Sequence, residues 1–390
     1  AKWNIEDKEG RCVINAMNPF DCEPEYSDFV LTDKEGLANT ATVWHGGRML
    51  VMEEGHRPYE IDPVTLESIG SWDFRGKLNT AMTAHPKIDP DTGEMVMFAY
   101  MATGPFSSDV MLHKVDASGI LTESVHIPTP YSAMVHDFVF TENYIVIPIM
   151  PITGSLERAM DGGPPFAWEP DKGVHLAVLP RHGGTTEDVR WVELPICFVF
   201  HFMNAFDQGG VITVDGCQFE TVPLFPTPDG ESTGSVQPFL TRWTIDMNLE
   251  SPKASFERID EFESEFPQCD PRHAGRPYRH GWYASCDGQL KSPLSENENF
   301  YNTVGHYDHE TREVDRYSCG QAVTSEPIFV PSEGGAEGEG YLLSVVTSFE
   351  TRTSSLHIFN ALKLADGPLA KVHLSHRVPA GFHGSWRPAS

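Results

Sequence analysis

The chain contains no run approaching the about 18 consecutive apolar residues that a membrane-spanning helix needs, so no span is read from it. Basic residues are scarce: 28 Lys and Arg against 56 Asp and Glu leave a formal charge of −28. Such a surface repels phosphate backbones and anionic headgroups, which argues against nucleic acid as a partner. Cysteines are few, odd in number and scattered (Cys12, Cys22, Cys197, Cys217, Cys269, Cys286, Cys319), with no Cys-x-x-Cys pair. That pattern suits neither a zinc ribbon nor a disulfide scaffold and reads as the reduced thiols of a cytoplasmic protein. No signal peptide is visible, and the chain begins Ala-Lys-Trp without Met. His-Glu-x-x-His, a Walker loop and a dinucleotide Gly-x-Gly-x-x-Gly are all missing. The Gly-rich stretch 334–340 is acidic and would repel phosphate.

What is abundant is punctuation. Thirty-three Gly and 30 Pro break a chain of 390 residues, 40% of them hydrophobic, into short apolar segments. Thr42-Val43-Trp44 and Met49-Leu50-Val51-Met52 flank a His45-Gly46-Gly47 turn, and similar runs recur at 95–98, 144–147, 210–214, 239–243 and 341–346. Asp62-Pro63-Val64-Thr65, Asp89-Pro90-Asp91-Thr92 and Asp308-His309-Glu310-Thr311 supply turn chemistry between them. Hairpin following hairpin predicts an all-β chain, a barrel, sandwich or propeller, forming one domain over 1–390. No fixed period marks a WD-type repeat. Stretches 154–166, 223–236 and 332–340 read as long loops.

Four histidines stand in apolar surroundings where a surface imidazole is out of place: His85, His136, His201 and His383. Alternation predicts strands at 134–140 and 197–203. In the first, Met134, His136, Phe138 and Phe140 share one face and Asp137 points to the other. In the second, Cys197, Val199, His201 and Met203 oppose Phe198, Phe200 and Phe202. The intervals each exceed fifty residues, too wide for a local chelating motif. They suit one ligand from each of several strands converging on a shared cation, since imidazole is the commonest protein metal ligand. The competing reading is four separate core histidines, each bonded to a backbone carbonyl. His306-Tyr307-Asp308 also has the His-x-Asp form of an iron site, but it is read as a solvated turn.

The segments Ala84-His85-Pro86-Lys87-Ile88-Asp89-Pro90, Met134-Val135-His136-Asp137-Phe138, Phe200-His201-Phe202-Met203-Asn204-Ala205, Ser325-Glu326-Pro327-Ile328-Phe329-Val330 and Phe382-His383-Gly384 resemble the carotenoid cleavage oxygenases, in the same order and across nearly the whole chain. The stretch 148–158 is most similar to the lignostilbene dioxygenase and isoeugenol monooxygenase branch. The resemblance implies a seven-bladed β-propeller with a dome of loops and short helices over an axial metal. It implies Fe(II) held by His85, His136, His201 and His383, with Glu54, Glu265 and Glu326 behind three of those rings. Carboxylates there fix ring tautomer and angle and balance a dication whose own ligands are neutral. With O2 as co-substrate, such an enzyme cleaves a C=C bond to two carbonyls. The substrate implied is a small apolar molecule, an aryl-conjugated alkene such as a stilbenoid or a phenylpropene, or alternatively an apocarotenoid. Phe138, Phe140, Phe200, Phe202 and Phe382 are candidates for tunnel walls or packing. A non-catalytic propeller scaffold and a hydrolytic zinc or calcium propeller are the readings from other classes. Two departures stand out. Where stilbene-cleaving relatives grip a phenol with Tyr and Lys, this chain has Ala16 and Glu53, and Glu53 is a candidate acceptor for a phenol proton. The chain also begins well inside the family pattern, so an N-terminal part is expected to be missing.

Overall fold

A computed structural model describes residues 4–6, 12–15, 38–234, 236–286, 300–379 and 381–388. Hairpins paired antiparallel with their chain neighbours build the molecule. The first sheet holds Ala41–His45, Arg48–Met52, Tyr59–Ile61 and Ser68–Ser71. The second holds Lys87–Ile88, Met95–Tyr100, Asp109–Val115 and Leu121–Pro128, and the third Val139–Phe140, Tyr144–Ile149, Val174–Pro180 and Arg190–Leu194. A seven-stranded sheet runs from Phe198–Gln208 to Val314–Ser318. Its long strand Lys253–Cys269 pairs with Phe239–Asp246 through one half and with His280–Ser285 through the other, so it serves two sheet units in turn. The last sheet gathers Ala322–Thr324, Ile328–Pro331, Gly340–Ser348, Ser354–Asn360 and Ala370–His373. This is an all-β propeller.

The core lies between successive sheets rather than inside one. Ile145, Ile147, Ala177 and Leu179 pack toward Phe98 and Leu112 of the second sheet. Their strand neighbours Val146, Val178 and Leu176 pack toward Phe198, Val214 and Trp243 on the other side. Period-two alternation therefore sorts residues between two apolar interfaces, both buried, which is why these strands read as continuous hydrophobic runs. Further clusters join the first sheet to the second around Leu50, Met52, Met95 and Met97, and the last sheet to its predecessor around Trp282, Phe329, Leu342 and Phe359. Each sheet thus depends on its neighbours, and the edge strands that begin the units are left to line the centre.

Three expectations are corrected here. Only Val139–Phe140 joins a ladder in the 134–140 segment. Asp137 competes with the ladder by accepting the Phe202 N–H at 3.0 Å and the Phe138 N–H at 2.8 Å. Stretch 154–166 is not a plain loop: it holds a helix, Leu156–Met160, capped by the Ser155 side chain, and the start of strand Phe166–Trp168. The His306 motif is no solvated turn, because Thr303–Asp308 is a strand with all six residues buried. The turn begins only after Asp308, whose carboxylate takes the Glu310 and Thr311 amides. Among the described residues, no helix is long and apolar enough to cross a membrane.

Candidate metal centre

The four singled-out histidines meet. His85 precedes the short edge strand Lys87–Ile88, His136 precedes the edge strand Val139–Phe140, and His201 lies in the edge strand Phe198–Gln208. His383 comes from the C-terminal segment, whose backbone N–H donates to Thr40 O at 3.2 Å. One nitrogen from each ring falls within 4.8 Å of all the others. His85 Nε2 stands 3.1 Å from His136 Nε2, which stands 3.2 Å from His201 Nε2.

A bulge aims His201. The register of its strand slips between Val199 and Phe202 and again between Phe202 and Asn204, so Phe200 and His201 fall outside regular pairing. The slip also cancels the predicted alternation, because Phe198, Val199 and Phe202 all enter the same apolar cluster. Gly216 faces the bulge, where a Cβ would come 2.8 Å from the Phe202 ring. A second slip between Glu265 and Gln268 turns the facing strand. Phe266 in that bulge has φ 52°, in the left-handed region where a side chain is strained. Its ring stacks on His201 at 5.2 Å and its N–H donates to Glu265 Oε2.

Three carboxylates stand behind three rings. His136 Nδ1 donates to Glu54 Oε2 at 2.9 Å, His201 Nδ1 to Glu265 Oε2 at 2.6 Å, and His383 Nδ1 to Glu326 Oε1 at 3.0 Å. Glu326 sits at a break between two strands that pair with the same partner, and also accepts from Gln268 Nε2 at 2.7 Å and Gly384 N–H at 2.8 Å. Among the described residues, no carboxylate hydrogen-bonds the His85 ring.

These bonds assign the tautomers. A neutral imidazole that donates through Nδ1 carries a lone pair on Nε2. When both rings are neutral, His136 and His201 face each other Nε2 to Nε2 at 3.2 Å with no proton between them, and the other two rings crowd the same point. Burial, followed by the charges of the neighbouring rings, drives the His85 and His201 pKa values well down and keeps them neutral. Burial lowers that of His136 too, but the Glu54 charge and hydrogen bond outweigh it and raise the net value. Burial pushes the Glu265 carboxyl up to about 8, and its Oε1 has no hydrogen-bond partner. Converging neutral nitrogen donors backed by three buried or half-buried acids fit a borderline dication.

Sequence reasoning missed several neighbours. Lys87 Nζ pairs with Asp137 at 2.7 Å, so the carboxylate expected on an opposite strand face lies buried beside the site. An acid directly after His136 in an apolar stretch was the signal that it needed a partner. Gln268, Phe266 and Tyr100 also went unnoticed; burial, then the charges of Glu54 and Glu53, holds the proton on Tyr100. Glu53 is already occupied by the Gly55 N–H at 3.0 Å and by His56 Nδ1. Ala16 lies outside the described residues. Of the five phenylalanines, Phe200 packs edge-on against His136 at 5.3 Å, while Phe138, Phe140 and Phe202 are buried in the core. Phe382, half exposed, borders an apolar cavity of about 520 Å³ with Phe266, Tyr301, Leu343 and His383.

Known proteins are similar to this chain. Residues 1–388 match the family described as retinal pigment epithelial membrane protein, RPE65. Lignostilbene-alpha,beta-dioxygenase isozyme III of Sphingomonas paucimobilis is 36% identical over 403 residues, covering 100% of this chain and 81% of that protein. Isoeugenol monooxygenase of Pseudomonas putida is 37% identical over 379 residues, covering 95% and 78%. The crystal structure of lignostilbene dioxygenase from Pseudomonas brassicacearum superposes with a TM-score of 0.91 at 32% identity, over 98% of this chain and 81% of that one. A cobalt-substituted Synechocystis oxygenase, ACO, superposes with a TM-score of 0.78 at 27% identity, over 91% and 75%. With this sequence likeness along nearly its full length, and a propeller that gathers four imidazoles at one point, the chain belongs to the carotenoid cleavage oxygenases, a family of non-haem iron enzymes that use O2.

Proposed function

We propose that this chain is an Fe(II)-dependent dioxygenase that cleaves the C=C bond of an aryl-conjugated alkene to two carbonyl products, with His85, His136, His201 and His383 as the iron ligands. The observation that carries the reading is the convergence of four ring nitrogens within 4.8 Å of one another, with Nε2 atoms facing at 3.1 and 3.2 Å, an arrangement that suits a shared cation. Bound there, iron supplies the activation of O2 that side chains cannot perform. Glu54, Glu265 and Glu326 hold three rings by their Nδ1 protons, so the opposite nitrogens stay pointed inward. Phe200 and Phe266 cover two of the rings with aromatic surface. The neighbouring cavity of about 520 Å³, bordered by Phe266, Tyr301, Leu343 and Phe382, suits an apolar aryl group.

Substrate preference follows the relatives. Proteins named for lignostilbene and isoeugenol are 36% and 37% identical, and a resveratrol cleavage oxygenase of Aspergillus fumigatus 34%. Carotenoid 9,10(9′,10′)-cleavage dioxygenase of Crocus sativus stands at 30%. Stilbenoids and phenylpropenes therefore rank ahead of apocarotenoids. The same reading takes the propeller as seven-bladed and the chain as one domain over 1–390; recurring four-stranded units and the Asn4–Glu6 and Cys12–Asn15 pair support it. Free thiols at Cys197, Cys217, Cys269 and Cys319 favour a reducing, cytoplasmic setting.

The test is anaerobic reconstitution with Fe(II), followed by a panel of stilbenes, phenylpropenes and apocarotenals under 18O2 with mass spectrometry of the products. About one iron per chain and labelled aryl aldehydes are expected. An iron-loaded protein that leaves every alkene intact overturns the reading.

A further inference from the structure

The centre has two unlike sides. On one stand Phe200, Phe266 and Tyr301, with the large apolar cavity. On the other, three of the four histidine-bearing segments continue away from the rings and line a passage. Lys87 and Ile88 follow His85, Val139 and Phe140 follow His136, and Met203 and Asn204 follow His201.

Two cavities make up this passage. The inner one, about 190 Å³, touches His85, His201, His383, Glu326 and the Lys87–Asp137 pair. The outer one, about 310 Å³, extends to Cys269, Pro271 and Ala274. Pro86, Lys87, Phe202, Pro267 and Gln268 border both, so the two are contiguous. The outer chamber is mixed, with Ile88, Val139, Phe140, Phe202, Met203 and Ala274 offering apolar surface to a small nonpolar guest beside Lys87, Asn204 and Gln268. The inner chamber is polar: Lys87 Nζ is 2.7 Å from Asp137, and Gln268 bonds Glu326. A bulky apolar alkene would have to strip and cross that ion pair, whose Asp137 is buried and Lys87 partly so, at a desolvation cost with nothing to offset it. A diatomic molecule makes no such demand.

We propose that this passage admits dioxygen to the rings by a route separate from the alkene, with the Lys87–Asp137 pair as the filter that keeps the organic substrate out. The proposal rests on the dioxygenase reading above. It assigns the outer chamber as the place where O2 partitions from solvent, and the segment after Cys269, carrying Pro271 and Ala274, as its mouth.

Two measurements test it. Crystals of the metal-free protein under xenon pressure should hold xenon in the outer chamber between Phe140, Met203 and Ala274. Ala274→Trp, at the mouth and away from the rings, should raise KM for O2 several-fold while iron content, KM for the alkene and kcat at saturating O2 stay at wild-type values. Xenon only in the cavity beside Phe266 and Phe382, or an unchanged KM for O2 in the folded variant, overturns the proposal. Should Ala274→Trp fail to fold, the xenon positions in the wild type decide alone. A protein that cleaves no alkene yet still takes xenon into the outer chamber sinks the enzyme reading and leaves the passage standing.

Discussion

Replacing Glu265 by Gln isolates the role of the carboxylates. Glu265 is 4% exposed and holds His201 Nδ1 at 2.6 Å through Oε2, which also takes the Phe266 N–H. Its Oε1 has no partner. In Glu265→Gln, the amide oxygen can keep the His201 bond only by placing the NH2 group where Oε1 now sits, a buried donor without an acceptor. That costs about 1–3 kcal/mol. The opposite flip sets an N–H against the Nδ1 proton and releases the ring. Either way the acid that can ionise to balance a bound dication is gone, and a neutral acceptor gives roughly half the strength of a charge-assisted bond. The expected outcome is a loss of about 10–100-fold in Fe(II) affinity, equivalent to about 1.4–2.8 kcal/mol at 1.4 kcal/mol per factor of ten. Anaerobic competition titration against a chelator measures it directly. Glu54→Gln is the internal control: its side chain is 25% exposed, water can replace the lost bond, and the loss should be smaller. If Glu265→Gln binds iron as tightly as the wild type, or Glu54→Gln is the more damaging change, the argument from burial is wrong.

Other consequences can be checked separately. Burial raises the pKa of Asp89, but the Thr92 and Asp91 amides and Arg181, 2.6 Å away, outweigh it and bring it from 3.8 to about 2. A depressed carboxyl contributes stability above its unfolded pKa and loses it as pH falls from about 4 through about 2, here about 2 kcal/mol. Asp89→Asn should therefore lower the urea midpoint at pH 7, with the gap to wild type closing toward pH 2; a gap independent of pH contradicts the assignment. His306→Ala should retain wild-type iron content, because His306 Nε2 bonds His280 Nδ1 at 3.0 Å in the sheet rather than facing the centre. It should cost about 1–3 kcal/mol in stability by stranding the partner, and lost iron binding would restore His306 as a ligand candidate. Phe138→Ala empties a fully buried site edge-on to Phe98 at 5.2 Å. Thermal unfolding should show a loss of about 3–5 kcal/mol, and a change under 1 kcal/mol would mean that the sheets there are not tightly packed.

The hairpins were legible because turn chemistry is local. Asp62-Pro63, Asp89-Pro90 and Gly46-Gly47 announce their turns regardless of what packs above them. The four histidines were legible because a polar ring in an apolar stretch of sequence is an anomaly at short range. What escaped depended on partners distant in the chain. The bulges at His201 and Phe266 arise from pairing with Gly216 and with the Trp282 strand, so simple alternation misassigned Val199. Asp137 broke its own strand by bonding Phe202, 65 residues away. His306 sits in a polar string, yet its burial is decided by stacking on Trp282 at 5.6 Å and by the apolar sheet beside it. Its strand neighbour Asp308 stays ionised inside because Arg279 reaches it at 2.7 Å. Polarity along a segment says little about burial once ion pairs and hydrogen bonds satisfy each group.

X-ray absorption at the iron edge of the reconstituted protein puts the sharpest question. Four imidazole nitrogens at about 2.0–2.2 Å, with the outer-ring scattering that imidazoles produce, are expected. One such shell should disappear in His201→Ala. A spectrum dominated by carboxylate oxygens, or one that His201→Ala leaves unchanged, would mean that the iron sits elsewhere and that the four rings are merely packed together.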